Sequence, residues 1–289
     1  MTSRIDHHRP QYPDQFGQFK KSYHLEMISD KSRTEAITTA LQQALLDPDA
    51  VFCELGCGTG LFTILAAQYC RKAYAIEIDP EMVKVAHANF AACRYRDRIT
   101  LIPGDALKVD LPRGVKADVI LCEMMSIWCI DEPQVPTVNR ARRDFLKPGG
   151  VLLPQRIVNL VELGWFNFRP NNLAMETPIP LFTGIRAPAV MSERRVCKVL
   201  DFARPVDQDL SVGLDLEAVA SGTINCAVLT SIVQLGPRVV FSGSDSLMPP
   251  TVVPLKEPVA VTAGDRLHFR ASVRAWSDMG GASFAAEVR

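Results

Sequence analysis

The chain has 289 residues, enough to bury a sizeable core in one large or two smaller domains. Apolar residues make up 47% and charged residues 22%, a globular balance rather than a disordered or fibrous one. Lysine plus arginine equals aspartate plus glutamate at 32 each, which argues against a specific nucleic-acid partner.

The stretch from Met1 to Pro13 is polar and lacks the apolar core of a signal peptide. No run reaches the ~20 apolar residues needed to span a bilayer. A cytoplasmic protein with no membrane partner is expected. The eight cysteines, at 53, 57, 70, 93, 122, 129, 197 and 226, sit mostly in apolar runs, where reduced thiols act as small hydrophobes. Cys53 and Cys57 straddle a strand end and a turn with no second ligand pair, so no metal site is expected.

Residues 1–46 read as a helical segment that covers a site. Pro10 and Pro13 punctuate its start, and the aromatics Tyr12, Phe16, Phe19 and Tyr23 favour a covering role over a frayed tail. A helix runs from Thr34 to about Leu46, where Asp47-Pro48-Asp49 ends it. Val51 to Leu55 is a short apolar run bounded by glycine, hence a buried strand. Gly56-Cys57-Gly58-Thr59-Gly60 turns the chain, Leu61 to Tyr69 continues as a helix, and Ala73 to Ile78 is a second buried strand. Such a βαβ unit places its ligand at the carboxyl end of the first strand.

The loop is G-x-G-x-G rather than the dinucleotide form G-x-G-x-x-G. Glu77 stands at the tip of the second strand, placed to accept hydrogen bonds from ribose hydroxyls, and Glu54 precedes the first glycine. This spacing resembles the S-adenosylmethionine loop of class I methyltransferases. That cofactor carries a sulfonium and an ammonium but no phosphate, so flanking carboxylates attract it. On this reading Gly56, Gly58, Gly60, Glu54 and Glu77 form the cofactor cradle.

Pro80 opens the next helix, to about Ala92, at a position where its missing N–H costs nothing. Ile99 to Ile102 is a strand, followed by Gly104-Asp105-Ala106, where the acid is placed to receive an adenine amino group. Residues 117–122 form a buried strand that ends at Glu123, and a helix from about Gln134 to Phe145 leads through the Lys147–Gly150 turn into the strand 151–153. The alternation implies a doubly wound parallel sheet over residues 47–154. From Pro154 onward helical periodicity fades and short β-branched runs appear at 157–163, 230–235, 239–241, 259–261 and 267–273. These predict an antiparallel sandwich or barrel over residues 155–289. The expected fold class is α/β, a Rossmann-like class I methyltransferase domain followed by a C-terminal antiparallel β-barrel domain.

In order from about Tyr23 to Arg156, and more weakly to the carboxyl terminus, the chain resembles the protein arginine methyltransferases. His24-x-Glu26-Met27-x-x-Asp30-x-x-Arg33-Thr34 looks like that family's amino-terminal helix motif. By position, the resemblance implies that His24, Arg33, Asp105 and Ala106 contact the cofactor, Arg33 by gripping its carboxylate. It implies that Met27 faces the methyl-accepting pocket. Glu123 and Glu132 match in spacing the two glutamates of the family's active-site hairpin, and are the catalytic candidates. Trp128 between them either lines the substrate pocket or packs in a core. Thr137-Val138, Ala141-Arg142 and Leu146-Lys147-Pro148-Gly149-Gly150 continue the match in register.

The chemistry of such a pair follows from charge. A guanidinium does not readily lose its proton, with a pKa above ~12, yet it must approach the cationic sulfonium. Two carboxylates in a water-poor pocket offset that repulsion, hold the planar group and draw its charge away from the attacking nitrogen. In-line alignment of nitrogen, methyl and sulfur supplies up to ~7–11 kcal/mol. The sequence leaves open which glutamate accepts the released proton.

Two departures bear on the acceptor. The family's N-terminal aromatic signature is not reproduced in register, and the Thr-His-Trp loop expected before Thr251 is replaced by Ser246-Leu247-Met248. The reading is an S-adenosylmethionine-dependent N-methyltransferase acting on a guanidino group of a protein, a peptide or free arginine. Methylation of another amine or hydroxyl, and a non-catalytic cofactor-binding assembly factor, are the alternatives. The resemblance also implies a homodimer, formed through an arm for which 171–188 is the candidate.

Overall fold

The computed structural model describes residues 26–175, 177–182, 184–243 and 246–289. His24 and the aromatics Tyr12, Phe16, Phe19 and Tyr23 lie outside the described residues. The chain divides into two compact units, Met1–Glu123 with Arg140–Leu153, and Met124–Asn139 with Pro154–Arg289. Residues 124–139, expected within the parallel-sheet domain, thus group with the second unit, and the amino-terminal segment groups with the first. No helix among the described residues is long and apolar enough to cross a membrane.

The first unit begins with a helical turn over residues 26–29, then α1, Lys31–Ala44. Asp30 caps α1 by accepting the Arg33 N–H at 3.1 Å, and Arg33, Ile37, Ala40 and Leu41 form its buried stripe. Five parallel strands follow: β1 (Val51–Leu55), β2 (Lys72–Glu77), β3 (Ile99–Pro103), β4 (Ala117–Cys122) and β5 (Leu146–Leu153). Their order is β3-β2-β1-β4-β5. All five residues of β1 are buried, as a central strand covered on both faces requires. Strand order reverses between β1 and β4, so the crevice beyond their carboxyl ends is the topological switch point at which such sheets bind ligands.

Two helices connect the strands, α2 (Leu61–Ala66) and α3 (Pro80–Ala92). Asp79 caps α3 by accepting the Glu81 N–H at 2.8 Å. The expected Lys147–Gly150 turn is a bulge inside β5: Ala117 pairs with Leu146 and Val119 with Val151, so four residues loop out between them. Lys147 Nζ closes on Asp118 at 2.8 Å, and Asp118 also accepts the Val51 N–H at 2.7 Å. Both contacts hold the Asp118 carboxyl below the usual range, against a burial effect that pushes it up.

The second unit is antiparallel throughout. Its larger sheet centres on β6 (Arg156–Trp165) and β11 (Gly222–Gln234), paired over nine residues from Cys226–Gly164 to Gln234–Arg156. It also contains β7 (Ile179–Pro180), β8 (Ala189–Val190), β9 (Arg195–Asp201), β12 (Val240–Ser242) and β13 (Thr251–Val261). The smaller sheet orders β10 (Val212–Glu217), β14 (Arg266–Ser272) and β15 (Ser283–Val288). The segment Met124–Asn139 carries most of α4, Gln134–Arg140, which continues into a π-helical turn, Ala141–Phe145, rather than the single helix expected.

Candidate active site

Within the first unit, the predicted cofactor residues that the structure describes, Arg33 on α1 apart, stand at the carboxyl ends of adjacent parallel strands. Glu54 on β1 is 2% exposed and sits in register between Ala75 of β2 and Leu121 of β4. The Thr63 hydroxyl, in the first turn of α2, donates to its carboxylate. Burial pushes the Glu54 carboxyl from 4.5 up to about 8, and the charges of Glu123 and Glu77 add to the rise; the Thr63 bonds oppose it. Without a cationic ligand, the Glu54 site is shifted toward the neutral acid.

Glu77 ends β2 and grips the glycine loop. Its carboxylate accepts the Gly58 N–H at 2.6 Å and the Asp79 N–H at 2.8 Å. Burial raises its pKa while these donors lower it. A carboxylate offers about four lone-pair directions, so acceptor capacity remains for a ribose hydroxyl beside the backbone donors. Gly56 and Cys57 both donate to the Ile76 carbonyl, at 2.9 and 3.0 Å, folding the loop onto β2. Gly60 must be glycine: its φ is +81°, and an added Cβ would lie 2.3 Å from Cε1 of the buried Phe90.

Asp105 and Ala106 follow β3. Asp105 Oδ1 accepts the Leu107 N–H at 2.8 Å. Its buried Oδ2 has no hydrogen-bond partner among the described residues, although Lys108 Nζ lies 3.3 Å away as an ion pair. That buried acceptor suits an exocyclic amino group such as that of adenine. Arg140, which the sequence did not single out, donates to the Ala106 carbonyl at 2.6 Å and to Asp110 at 2.7 Å, fixing this turn.

Arg33 projects from the first turn of α1. Its guanidinium donates to the Met27 carbonyl at 3.1 Å, lies over the Phe62 ring at 5.8 Å, and forms an ion pair with Glu123, the residue that follows β4. Burial raises the Glu123 carboxyl, Arg33 opposes the rise by charge and hydrogen bond, and the Asp30 charge adds to it. Sequence reasoning assigned Arg33 to the cofactor and Glu123 to the acceptor without joining them. The residues are 90 apart in the chain, and only the fold brings them together.

The rest of the predicted hairpin belongs to the second unit. Glu132 is half-buried there, and its charge, with burial, pushes the buried Cys129 thiol upward. Trp128 departs from the pocket-lining expectation. It is 1% exposed, and its indole Nε1 donates to the carbonyls of Leu160 on β6 and Thr230 on β11, at 3.1 and 3.2 Å. Its backbone N–H donates to Ser231 Oγ at 3.0 Å, while Trp128 and Cys129 both adopt a φ of 57°. A side chain so enclosed is core, and it anchors the backbone from which Glu132 follows. The Asp131 N–H to Ser126 Oγ bond, 2.9 Å, and the Ser277 N–H to Ile130 carbonyl bond, 2.8 Å, pin the same segment. The loop that replaces Thr-His-Trp packs nearby: a Cβ at Gly243 would lie 2.4 Å from the Met248 carbonyl and 3.4 Å from Ile127 Cδ1.

Thr63 is a second residue the sequence reading missed, although a hydroxyl one helical turn past the glycine loop was a visible signal. The residues present fit S-adenosylmethionine. Glu54 and Glu77 supply buried carboxylates for a cationic, phosphate-free ligand. Glu77 retains acceptor capacity for ribose, and Asp105 Oδ2 offers a buried acceptor for adenine.

Comparison with known proteins agrees with the geometry. Residues 52–150 match the family model of a methyltransferase domain. Residues 52–150 thus form a methyltransferase domain, and the glycine loop with its buried acids lies within it. The chain is 27% identical over 279 residues to the arginine N(omega)-methyltransferase of Streptomyces achromogenes subsp. streptozoticus, covering 89% of this chain and 76% of that one. It is 35% identical over 146 residues to protein arginine N-methyltransferase 1 of Dictyostelium discoideum, covering 50% and 42%. The Trypanosoma brucei PRMT1 enzyme–prozyme heterotetrameric complex with AdoHcy shares the fold, with a TM-score of 0.77 at 19% identity over 93% of this chain and 98% of that one. The resemblance of this chain to arginine methyltransferases thus extends from motif to fold, a Rossmann-like domain with a C-terminal antiparallel barrel.

Proposed function

We propose that this protein transfers the methyl group of S-adenosylmethionine to a guanidino nitrogen of arginine, free or within a peptide or protein. The observation that carries this reading is the company Glu123 keeps: a buried carboxylate at the tip of β4 that already holds a guanidinium, that of Arg33. A site whose carboxylate binds one guanidinium has the charge and planarity to bind another. The Streptomyces relative, which aligns along most of both chains, is named for arginine rather than for protein, and it supports including the free amino acid as an acceptor.

The bound donor supplies an electrophilic methyl on a cationic sulfur. Around it the chain's own residues divide the work. Glu77 anchors the ribose while tying down the glycine loop, and Asp105 receives the adenine amino group. Glu54 places a buried carboxyl near the donor's positive charge. Glu123 and Glu132 hold the acceptor guanidinium, screen it from the sulfonium and concentrate its charge on the nitrogens they bind, leaving the third to attack. One of them takes the proton that the methylated nitrogen releases.

Replacing either glutamate with glutamine tests the assignment. Glu123→Gln and Glu132→Gln are each expected to lower turnover by about 10²–10³-fold or more with donor binding retained. Unchanged turnover in both variants would point instead to an acceptor without a guanidino group. We also propose a homodimer formed through the 171–188 excursion, on which Leu173, Met175 and Ile185 are exposed apolar side chains. Sedimentation of a variant lacking this excursion should shift to the monomer; an unchanged oligomeric state would refute the arm.

A further inference from the structure

Arg33 occupies an electrostatically awkward place. It is the third residue of α1, a cation in the first turn of a 14-residue helix, where exposed N–H groups and the helix dipole favour anions. It is also buried, with its side chain 8% exposed. Asp30 already caps the helix end through the Arg33 N–H, so it is the buried guanidinium that attracts a further carboxylate. In this structure the carboxylate it holds is that of Glu123, whose side chain is 10% exposed and carries Asp30 as a neighbouring like charge.

We propose that Arg33 is an exchangeable partner: it pairs with Glu123 while the donor is absent, and turns to the donor's carboxylate when the donor binds, which frees Glu123 for the acceptor. The exchange rests on the methyl-donor reading given above and deepens it, by linking the donor and acceptor sites through one side chain. Two carboxylates compete for one guanidinium, so the pair with Glu123 weakens donor binding before the exchange. The buried Glu123 carboxylate, once released, is left in need of a cation, and an incoming guanidinium meets that need. Donor and acceptor therefore bind with positive coupling, the acceptor after the donor.

Calorimetric titration of S-adenosylhomocysteine and of 5′-methylthioadenosine into wild type and Glu123→Gln is the test. Methylthioadenosine keeps the adenosine and the sulfur but has no carboxylate to compete for Arg33. Removing the internal competitor is expected to tighten S-adenosylhomocysteine by about tenfold, within the usual range of coupling between sites, and to leave methylthioadenosine unchanged. Unchanged or weaker S-adenosylhomocysteine binding in the variant, or equal tightening of both ligands, would overturn the exchange. Should Glu123→Gln fail to fold, Glu123→Asp decides: it keeps the charge but shortens the reach, and must show the same carboxylate-specific tightening to a smaller degree. No acceptor enters this experiment, so its outcome is independent of whether arginine is the substrate. Failure of wild type to bind either ligand would sink the donor reading and the exchange with it.

Discussion

The two units bury polar groups in opposite ways. At the carboxyl ends of β1, β2 and β4, buried carboxyls crowd together: Glu54, Glu77 and Glu123 all have raised pKa values, with burial as the main cause. Around Trp128 most buried polar atoms are neutral and matched within the chain, as in the indole bonds to two backbone carbonyls and the Ser231 Oγ to Asn159 Oδ1 bond of 3.0 Å; Asn159 Nδ2 is the exception, with no hydrogen-bond partner among the described residues. A buried polar group satisfied by its own chain stabilises and specifies a fold. A cluster of buried acids short of positive charge destabilises the empty protein and waits for a cation. The first pattern marks scaffold and the second marks a site.

The sharpest way to break this contrast is to remove the scaffold anchor. Trp128→Ala deletes a fully buried indole and both its Nε1 bonds, and is expected to cost about 3–5 kcal/mol in denaturant unfolding. A loss below about 1 kcal/mol would return Trp128 to a pocket wall. Gly60→Ala probes the cradle. The left-handed backbone costs about 1–2 kcal/mol, and the clash with Phe90 about 1–3 more. Chemical denaturation should show this loss together with weakened donor binding, whereas a neutral effect would mean the loop is looser than its geometry.

The remaining prediction concerns pH. Because folding raises the Glu54 carboxyl from 4.5 to about 8, the folded state keeps a proton that the unfolded chain has released across that window. Stability is therefore greatest below the unfolded value and falls as pH rises toward about 8. Glu77 and Glu123 shift in the same direction. Thermal melts of the ligand-free protein should drop over this range, and Glu54→Gln should flatten the slope. A melting temperature that rises with pH would contradict the buried-acid cluster.

Much of the first unit was legible because central parallel strands are continuous apolar runs. Residues 117–122 emerge with the predicted limits, and the glycine loop announces its own turn. The second unit was harder to read. β9, Arg-Val-Cys-Lys-Val-Leu-Asp, has a single fully buried residue and shows no apolar run, so its pairing with β6 left little trace in composition. The positions of Glu77 and Asp105 at the strand tips were legible because they follow from the βαβ pattern alone. The candidate site was illegible where a role depends on distant partners: Arg33 with Glu123, Arg140 with Ala106, and Trp128 with carbonyls more than thirty positions away. Such pairings are properties of the fold and have no local signature.

The account stands most directly on the fate of the methyl group. Incubation with methyl-labelled S-adenosylmethionine, free arginine, an arginine-rich peptide and cell lysate, followed by hydrolysis and amino-acid analysis, should recover the label on N-methylated arginine from at least one acceptor. Label recovered only on other amines or hydroxyls, or no transfer to any acceptor despite bound donor, would contradict it.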